Sequence, residues 1–524
     1  MKLENVKDIY PLSPMQEGML FHSVADPHSA AYIDHVVITI QGELNTERLS
    51  QSLKSVAARH DCLRTAFVWD GVDQPLQIVR EKVDFKVEVI DWTSMHDAGV
   101  ENLVEKRIEW NQNIGFELDD APLLHFTVCK GARDVRLIIC FHHLILDGWS
   151  AHAFLKEVLQ EYDEPSAVPA APFRFRDYIA WHGSRDHESS LEFWKAELAG
   201  FEQPNRIGRA GRVLDDQKFG QIRKKLPADV SSRLSDIAKS SRVTLNTVFQ
   251  AIWSLTVSRY SSGETDIVFG TTVAGRPLEL AGIENAIGSF INTIPFRTQI
   301  NSSEPLTYWF ERIQTTQAAR LQHDFSSLAS IQKASEIEFG QALFESILVF
   351  ENYPASDRSA GSIKVTGIEH FEQSNYPVAL IVVPGDEVEL FLVFDETYFA
   401  DDFVEVCNDF VEGIAEYVCH LCARLASDSS GPVSSLISLS PEMTGELDQW
   451  NRSGTPLDEK LAGRCVHAVF SELAAENPEA IAAIFAGKQV TYRELEERAH
   501  QVAVQLIERG VSRGDVVGLC VDRS

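Results

Sequence analysis

Residues 141–149 read FHHLILDGW and gather two histidines, an aspartate and a glycine at the end of an apolar run. A neutral imidazole at a cleft accepts a proton from an attacking amine, or orients that amine, near neutral pH. The run before the pair, residues 135–141 (VRLIICF), predicts a buried strand. Successive side chains of a strand face opposite ways, so only one of His142 and His143 points into a given cleft. The other goes into packing or a hydrogen bond. Gly148 permits a tight turn, and Asp147 stands where a helix-capping acid would stand. Taken alone, the segment is better explained as a histidine pair in a core strand followed by a capped helix, because most short motif matches are accidents.

The elements that must hold this turn can be read on either side of it. Residues 35–40 (HVVITI) predict a strand, and Leu49, Leu53 and Val56 a helix with Asn45 as its cap. A further strand spans 65–69 and breaks at Asp70-Gly71. After Gly148 a helix carries Phe154, Leu155, Val158, Leu159 and Tyr162 on one side. Residues 164–172 (EPSAVPAAP) exclude regular structure and mark a crossing between two lobes. A second α/β region follows, with a helix over 245–260 and strands over 266–272, 344–350, 378–383 and 388–394. Ser, Gly and Pro cluster between 427 and 463, a second boundary. Beyond it come a strand over 481–485, the turn Gly487-Lys488, a strand at 490–491, a helix over 493–509 stopped by Gly510, and a strand over 516–521. That last strand has few partners against which to bury itself, so the segment reads as the front of a larger domain.

With 524 residues, two or more cores are expected. A net charge of −30 argues against a nucleic-acid partner and against an anionic membrane. No apolar run is long enough to span a bilayer, and the first residues lack the apolar core of a signal peptide. The eight cysteines are dispersed, mostly inside apolar segments, which fits free thiols in a reducing cytoplasm. Cys419 and Cys422 form a lone C-x-x-C inside a helical pattern; with no second pair, a metal site is not expected.

Other stretches change the standing of the histidine pair. H-H-x-x-x-D-G resembles the signature of condensation domains of non-ribosomal peptide synthetases, relatives of chloramphenicol acetyltransferase. Residues 10–21 (YPLSPMQEGMLF), 59–67 (RHDCLRTAF), 175–181 (FRDYIAW), 275–277 (GRP), 287–297 (IGSFINTIPFR) and 343–354 (LFESILVFENYP) resemble the family's other motifs, in the right order. Residues 490–495 (VTYREL) are similar to the first motif of an adenylation domain, whose phosphate-binding loop is absent here, so activation of an amino acid is not expected. The resemblance implies an α/β fold of two chloramphenicol acetyltransferase-like lobes in a V-shaped pseudo-dimer, residues 1–170 and 171–430. A linker over 431–463 and the partial adenylation segment 464–524 would follow.

It also implies roles. His143 is the family's catalytic position, either general base for an acceptor amine or a hydrogen-bond acceptor that orients it. Asp147 is expected to pair with Arg276 in a buried, bidentate contact that holds the turn. Gly148 leaves room for a substrate arm, and His142 is structural by the alternation argument. Trp149 and Ser150 are candidate substrate contacts, with a plain core role equally open for Trp149. Arg64 is better read as a structural ion pair. Pro295 is expected in a loop crossing between lobes, and Tyr376-Pro377 in a second crossing. The reaction implied is amide formation between a donor acyl or peptidyl thioester and an acceptor aminoacyl thioester. No cofactor is bound covalently; the 4'-phosphopantetheine arms come from donor and acceptor carrier domains, which the chain itself lacks. A downstream adenylation domain is the further partner. The wording of residues 10–19 and 146–149 resembles members that take a D-configured donor. An epimerisation domain shares the histidine motif, but is not usually followed by an adenylation domain. A non-catalytic recruiting domain typically loses His143 or Asp147.

Overall fold

The computed structural model describes residues 5–26, 30–42, 44–94, 97–164, 172–208, 219–338, 340–352, 359–360, 363–371, 375–399, 404–437, 441–452, 464–485, 487–512 and 514–520. They form two compact units, residues 1–438 and 439–524. The expected crossing at 164–172 lies almost wholly outside the described residues.

Two six-stranded mixed sheets dominate the first unit. In the first, Val135–His142 lies between Ile33–Gly42 and Leu124–Lys130, antiparallel to both. Its Leu137, Ile139 and Phe141 point into a core made with the helices Thr46–Arg59 and Gly148–Asp163. Asn45 caps the first of these helices by accepting the Arg48 N–H at 3.0 Å. On the second helix, Phe154, Leu155, Val158, Leu159 and Tyr162 are all buried, as their spacing requires. The second sheet runs Asn292–Gln299, Asp266–Val273, Ser346–Phe350, Val378–Val383, Glu389–Asp395 and Phe219–Lys225. The helix Leu245–Tyr260 crosses its core, buried at every position from Thr247 to Val257. A hydrophobic all-round helix of this kind needs a covered environment, here the sheet and Val404–Ser427.

Four expectations need correction. Pro295 is not in a loop: it sits inside the strand Asn292–Gln299, opposite Gly270. That strand is at the sheet's edge, where a residue without an N–H is tolerated because one side has no partner to satisfy. The link from the second lobe to the turn at His143 is instead the irregular segment 274–291. Next, the lobes do not divide cleanly at 170. Ser359–Ala360 and Ile363–Phe371, far along the chain, complete the first sheet by pairing with each other and with Ile33–Gly42. Local pattern cannot announce such a long-range pairing. Tyr376-Pro377 does lie on the chain's return from it. Third, the expected linker is partly structured. Gly431 and Val433 hydrogen-bond to Leu306 and Glu304, fastening this stretch to the second lobe, and Pro441–Asn451 is a helix.

In the second unit, Ile481–Phe485 and Lys488–Thr491 form a hairpin and Thr491 opens the helix Tyr492–Glu508 with a capping box to Glu494. The fourth correction is here: residues 516–520 form no strand, and Val516 and Leu519 stand exposed at 98% and 86%. A strand without a neighbour has nothing to bond. Among the described residues no helix is long and apolar enough to cross a membrane.

Gly275 marks where the chain leaves the second sheet for the turn. Its φ is +58°, and a Cβ placed there would lie 1.8 Å from the carbonyl oxygen of Phe290. No rotamer relieves a clash between a Cβ and a backbone atom. Gly275→Ala is therefore expected to cost more than about 2 kcal/mol, from the left-handed conformation and the displaced loop together. Chemical denaturation of residues 1–438 reads this; a midpoint equal to the parent's would show that the loop yields freely.

Candidate active site

Register decides which histidine does what. His142 is the last residue of Val135–His142 and pairs with Ile33, while the His143 N–H continues the ladder to Tyr32 O at 2.8 Å. The His142 side chain turns into the core. Its Nδ1 accepts the Leu144 N–H at 3.1 Å, which leaves the ring proton on Nε2, 3.3 Å from Ser23 Oγ. Burial, aided by neighbouring His143, pulls its pKa down to about 3, so it is neutral and structural. His143 turns the other way and borders a cavity of about 100 Å³. Its side chain is 14% exposed and Nε2 lies 3.7 Å from Asp34 Oδ2.

The cavity lies between the two sheets. Met15, Met19 and Gly148 contribute from the first lobe; Thr272, Val349 and Tyr376 belong to the second. A larger cavity, about 460 Å³, sits by Arg59, His60, Glu157 and Glu161, whose charges are satisfied among themselves: Arg59 to Glu161 at 2.7 Å and His60 to Glu157 at 3.0 Å. Volume favours that one; chemistry favours the smaller, because there a histidine borders open space beside a buried carboxyl.

Asp147 is fully buried and works as a clasp. Oδ1 accepts the Ser150 N–H at 2.7 Å, capping Gly148–Asp163, and Oδ2 accepts the Phe290 N–H at 2.9 Å from the opposite lobe. Arg276 is less close than the sequence suggests. One nitrogen, Nη2, stands 3.3 and 3.5 Å from the two carboxylate oxygens, so the contact is not the bidentate fork. Geometry explains this: Nη1 is committed to Ile283 O at 2.7 Å and Ala286 O at 2.8 Å, and Nη2 to Ser150 Oγ at 2.7 Å. Phe290 packs under the guanidinium at 4.4 Å.

Of the two candidate substrate contacts, Ser150 is corrected and Trp149 does not border this cavity. Ser150 is fully buried; its hydroxyl donates to Gly288 O at 2.7 Å and accepts from Gly288 N at 3.0 Å and from Arg276, which uses its whole capacity. It cannot reach a substrate. Trp149 is off the cavity wall: Nε1 donates to Glu284 O at 3.0 Å and the ring lies 5.5 Å from the Arg276 guanidinium. Gly148 does border the cavity. Arg64 is a structural tie, 2.5 Å from Asp61 and bonded to Glu81 O. Asp34 was missed. The signal was present, since a carboxyl inside a strand whose residues 33–40 are all buried is unusual unless paired.

Two measurements test these roles. Asp147→Ala leaves Arg276 buried without its counter-charge and is expected to destabilise residues 1–438 by about 3–5 kcal/mol, whereas Asp147→Asn keeps the cap and should lose less. An Asp147→Ala protein that melts like the parent yet fails in turnover would move Asp147 into the chemistry. For His142 the folded pKa lies below the unfolded value near 6.5, so its stabilising contribution is full above 6.5 and is lost as pH falls toward 3. The stability difference between the parent and His142→Phe should therefore shift, against the parent, by up to about 1.4 kcal/mol per pH unit through that window; a constant difference would mean that His142 is not held neutral.

The comparisons with known proteins follow this geometry. A family model described as condensation domain matches residues 6–447, and one described as AMP-binding enzyme matches residues 470–524. Gramicidin S synthase 2 of Brevibacillus brevis is 30% identical over 538 residues, covering 100% of the chain and 12% of that protein. Surfactin synthase subunit 3 of Bacillus subtilis (strain 168) is 30% identical over 536 residues, covering 99% of the chain and 41% of that protein. The chain thus spans a minor part of the length of these relatives. Among solved structures, the first condensation domain of the calcium-dependent antibiotic synthetase with a substrate analogue matches at a TM-score of 0.68 and 17% identity, covering 82% of this chain and 99% of that one. A four-domain nonribosomal peptide synthetase bound to AMP and glycine matches at 0.71 and 18%, covering 98% of this chain and 40% of that one. With residues 6–447 matched, this chain belongs to the condensation domain family.

Proposed function

We propose that residues 1–438 join an acceptor aminoacyl thioester to a donor acyl or peptidyl thioester, each carried on the phosphopantetheine arm of a carrier domain. The observation that carries this reading is that His143, and not His142, borders the cavity between the lobes. In the step, the acceptor nitrogen attacks the donor carbonyl and a C–N bond forms. His143 Nε2 takes a proton from that nitrogen, the C–S bond breaks, and the departing sulfur takes the proton. The histidine ends as it began. Gly148 presents bare backbone at the cavity wall, where a thin arm passes without meeting a side chain. Trapping both reactants on tethers supplies much of the rate by proximity.

The wording of residues 10–19 and 146–149 favours a D-configured donor. The site of action is the cytoplasm, where dispersed free cysteines such as Cys62 and Cys140 stay reduced. The segment 464–524, which carries the AMP-binding match, supplies nothing to the amide step.

The test is amide formation between carrier-loaded donor and acceptor. His143→Ala is expected to lose about two to four powers of ten in rate. If His143 is a base, that loss shrinks as pH rises, because more acceptor amine is already neutral; if it only orients the amine, His143→Gln restores most of the rate and pH does not alter the loss. Full activity of His143→Ala across pH would leave proximity alone. A D-donor should react faster than its L-enantiomer. Exchange of the donor Cα proton without amide formation would instead identify an epimerisation domain. Deleting 464–524 should leave the rate unchanged.

A further inference from the structure

Asp34 is a feature of the cavity that the reading above leaves without work. It lies on Ile33–Gly42 opposite Phe141, is 3% exposed, and borders the same cavity as His143. One carboxyl oxygen faces His143 Nε2 at 3.7 Å, beyond hydrogen-bond reach; the other, Oδ1, is buried with no hydrogen-bond partner among the described residues. Among the described residues no lysine or arginine borders the cavity. A second charged group near Asp34 is Glu351, itself 6% exposed and of the same sign. A carboxyl held in this way is costly to the folded chain, because burial without a partner forfeits its hydration. The position makes sense when the missing donor arrives with the substrate.

We propose that Asp34 is the group that recognises the acceptor's α-amine, accepting its N–H and holding the nitrogen against His143 Nε2. This rests on the amide-forming reading and deepens it. The amine enters as an ammonium and the carboxyl takes one of its protons, freeing the lone pair. Burial, then Glu351, raises the proton affinity of Asp34, so this transfer runs from the fraction of the protein whose carboxyl is ionised before the ammonium enters. The nitrogen attacks, the second proton leaves through His143 to the thiol, and the proton on Asp34 returns to water after product release. One C–N bond forms, one C–S bond breaks, and one proton is released for each ammonium consumed. Asp34 and His143 thus divide the two protons that a protonated amine must lose. Met15, Met19, Ile347, Val349, Ile381 and Val393 form an apolar part of the wall, which suits an aliphatic acceptor side chain.

The experiment is a cycle that alters protein and ligand together. Leucyl-pantetheine and 4-methylpentanoyl-pantetheine, which differ by the amine alone, are titrated calorimetrically into the full chain, as parent and as Asp34→Asn. The parent should bind the amine-bearing probe at least about tenfold more tightly, the usual scale of one hydrogen bond to a charged group; Asp34→Asn should bind the two alike. Its melting temperature should equal or exceed the parent's, since a buried charge is removed. In turnover Asp34→Asn should lose at least about tenfold in kcat/KM for the acceptor, with the donor's KM unchanged. Asp34→Ser is the second variant if the asparagine protein does not fold. A parent that fails to prefer the amine, or a variant that still does, overturns the proposal. A parent that prefers the amine yet makes no amide would refute the amide-forming reading and leave Asp34 as an amine site.

Discussion

One fully buried carboxylate ties the site together. Asp147 accepts from the first turn of Gly148–Asp163 and from Phe290 of the other lobe, and its charge is balanced by Arg276, which is itself anchored on Ile283 and Ala286. Each group is spoken for by another, so the turn from 143 to 150 cannot shift without unpairing a buried charge. The preference for short backbone N–H bonds over a tight ion pair follows from geometry: a helix N-terminus and a strand-entry amide supply directed donors at 2.7 and 2.9 Å, and the guanidinium takes a more distant seat. Ser150 and Gly288 lock the same corner from outside the carboxylate.

With the turn held, the strand ladder divides the histidine pair. His142 is committed to the Leu144 N–H and to a dry interior, where a charged imidazole is strongly disfavoured. His143, one residue on, inherits the opposite face and the cavity. That opposition is a property of extended backbone, and swapping the two roles would need a one-residue register slip that would also expose Leu137, Ile139 and Phe141.

Much of this was legible. The helix over 245–260 matched to its ends, because eleven consecutive buried positions leave no ambiguity about its environment. The Asn45 cap and the strand leading to the histidines also followed from local pattern. What failed had a long-range cause. Ile363–Phe371 pairs with Ile33–Gly42, more than two hundred residues earlier, and nothing in its own composition names that partner. The family resemblance put Pro295 in a loop, but proline disrupts a ladder only on a side where its N–H would have a partner, and here it sits in an edge strand. Ser150 and Trp149 are candidate substrate contacts by sequence; the tight turn carries Ser150 into the interlobe clasp and bonds Trp149 to Glu284 O.

Ile363–Phe371 also constrains how the cavity can open. A strand from the second lobe's part of the chain is bonded along nearly its whole length to Ile33–Gly42, the strand that carries Asp34. The two lobes are therefore joined twice, by this ladder and by the Asp147 clasp. Motion that widens the cavity must bend about these two attachments or break the hydrogen bonds that make them. Asp34 and His143 both sit in the first lobe, one on a strand and one at the end of its neighbour. Their spacing is thus indifferent to such motion, while the second-lobe wall that includes Thr272 and Tyr376 is free to adjust to different side chains. Asp34 and His143 therefore stay together in the first lobe, while much of the wall that faces them is built by the second.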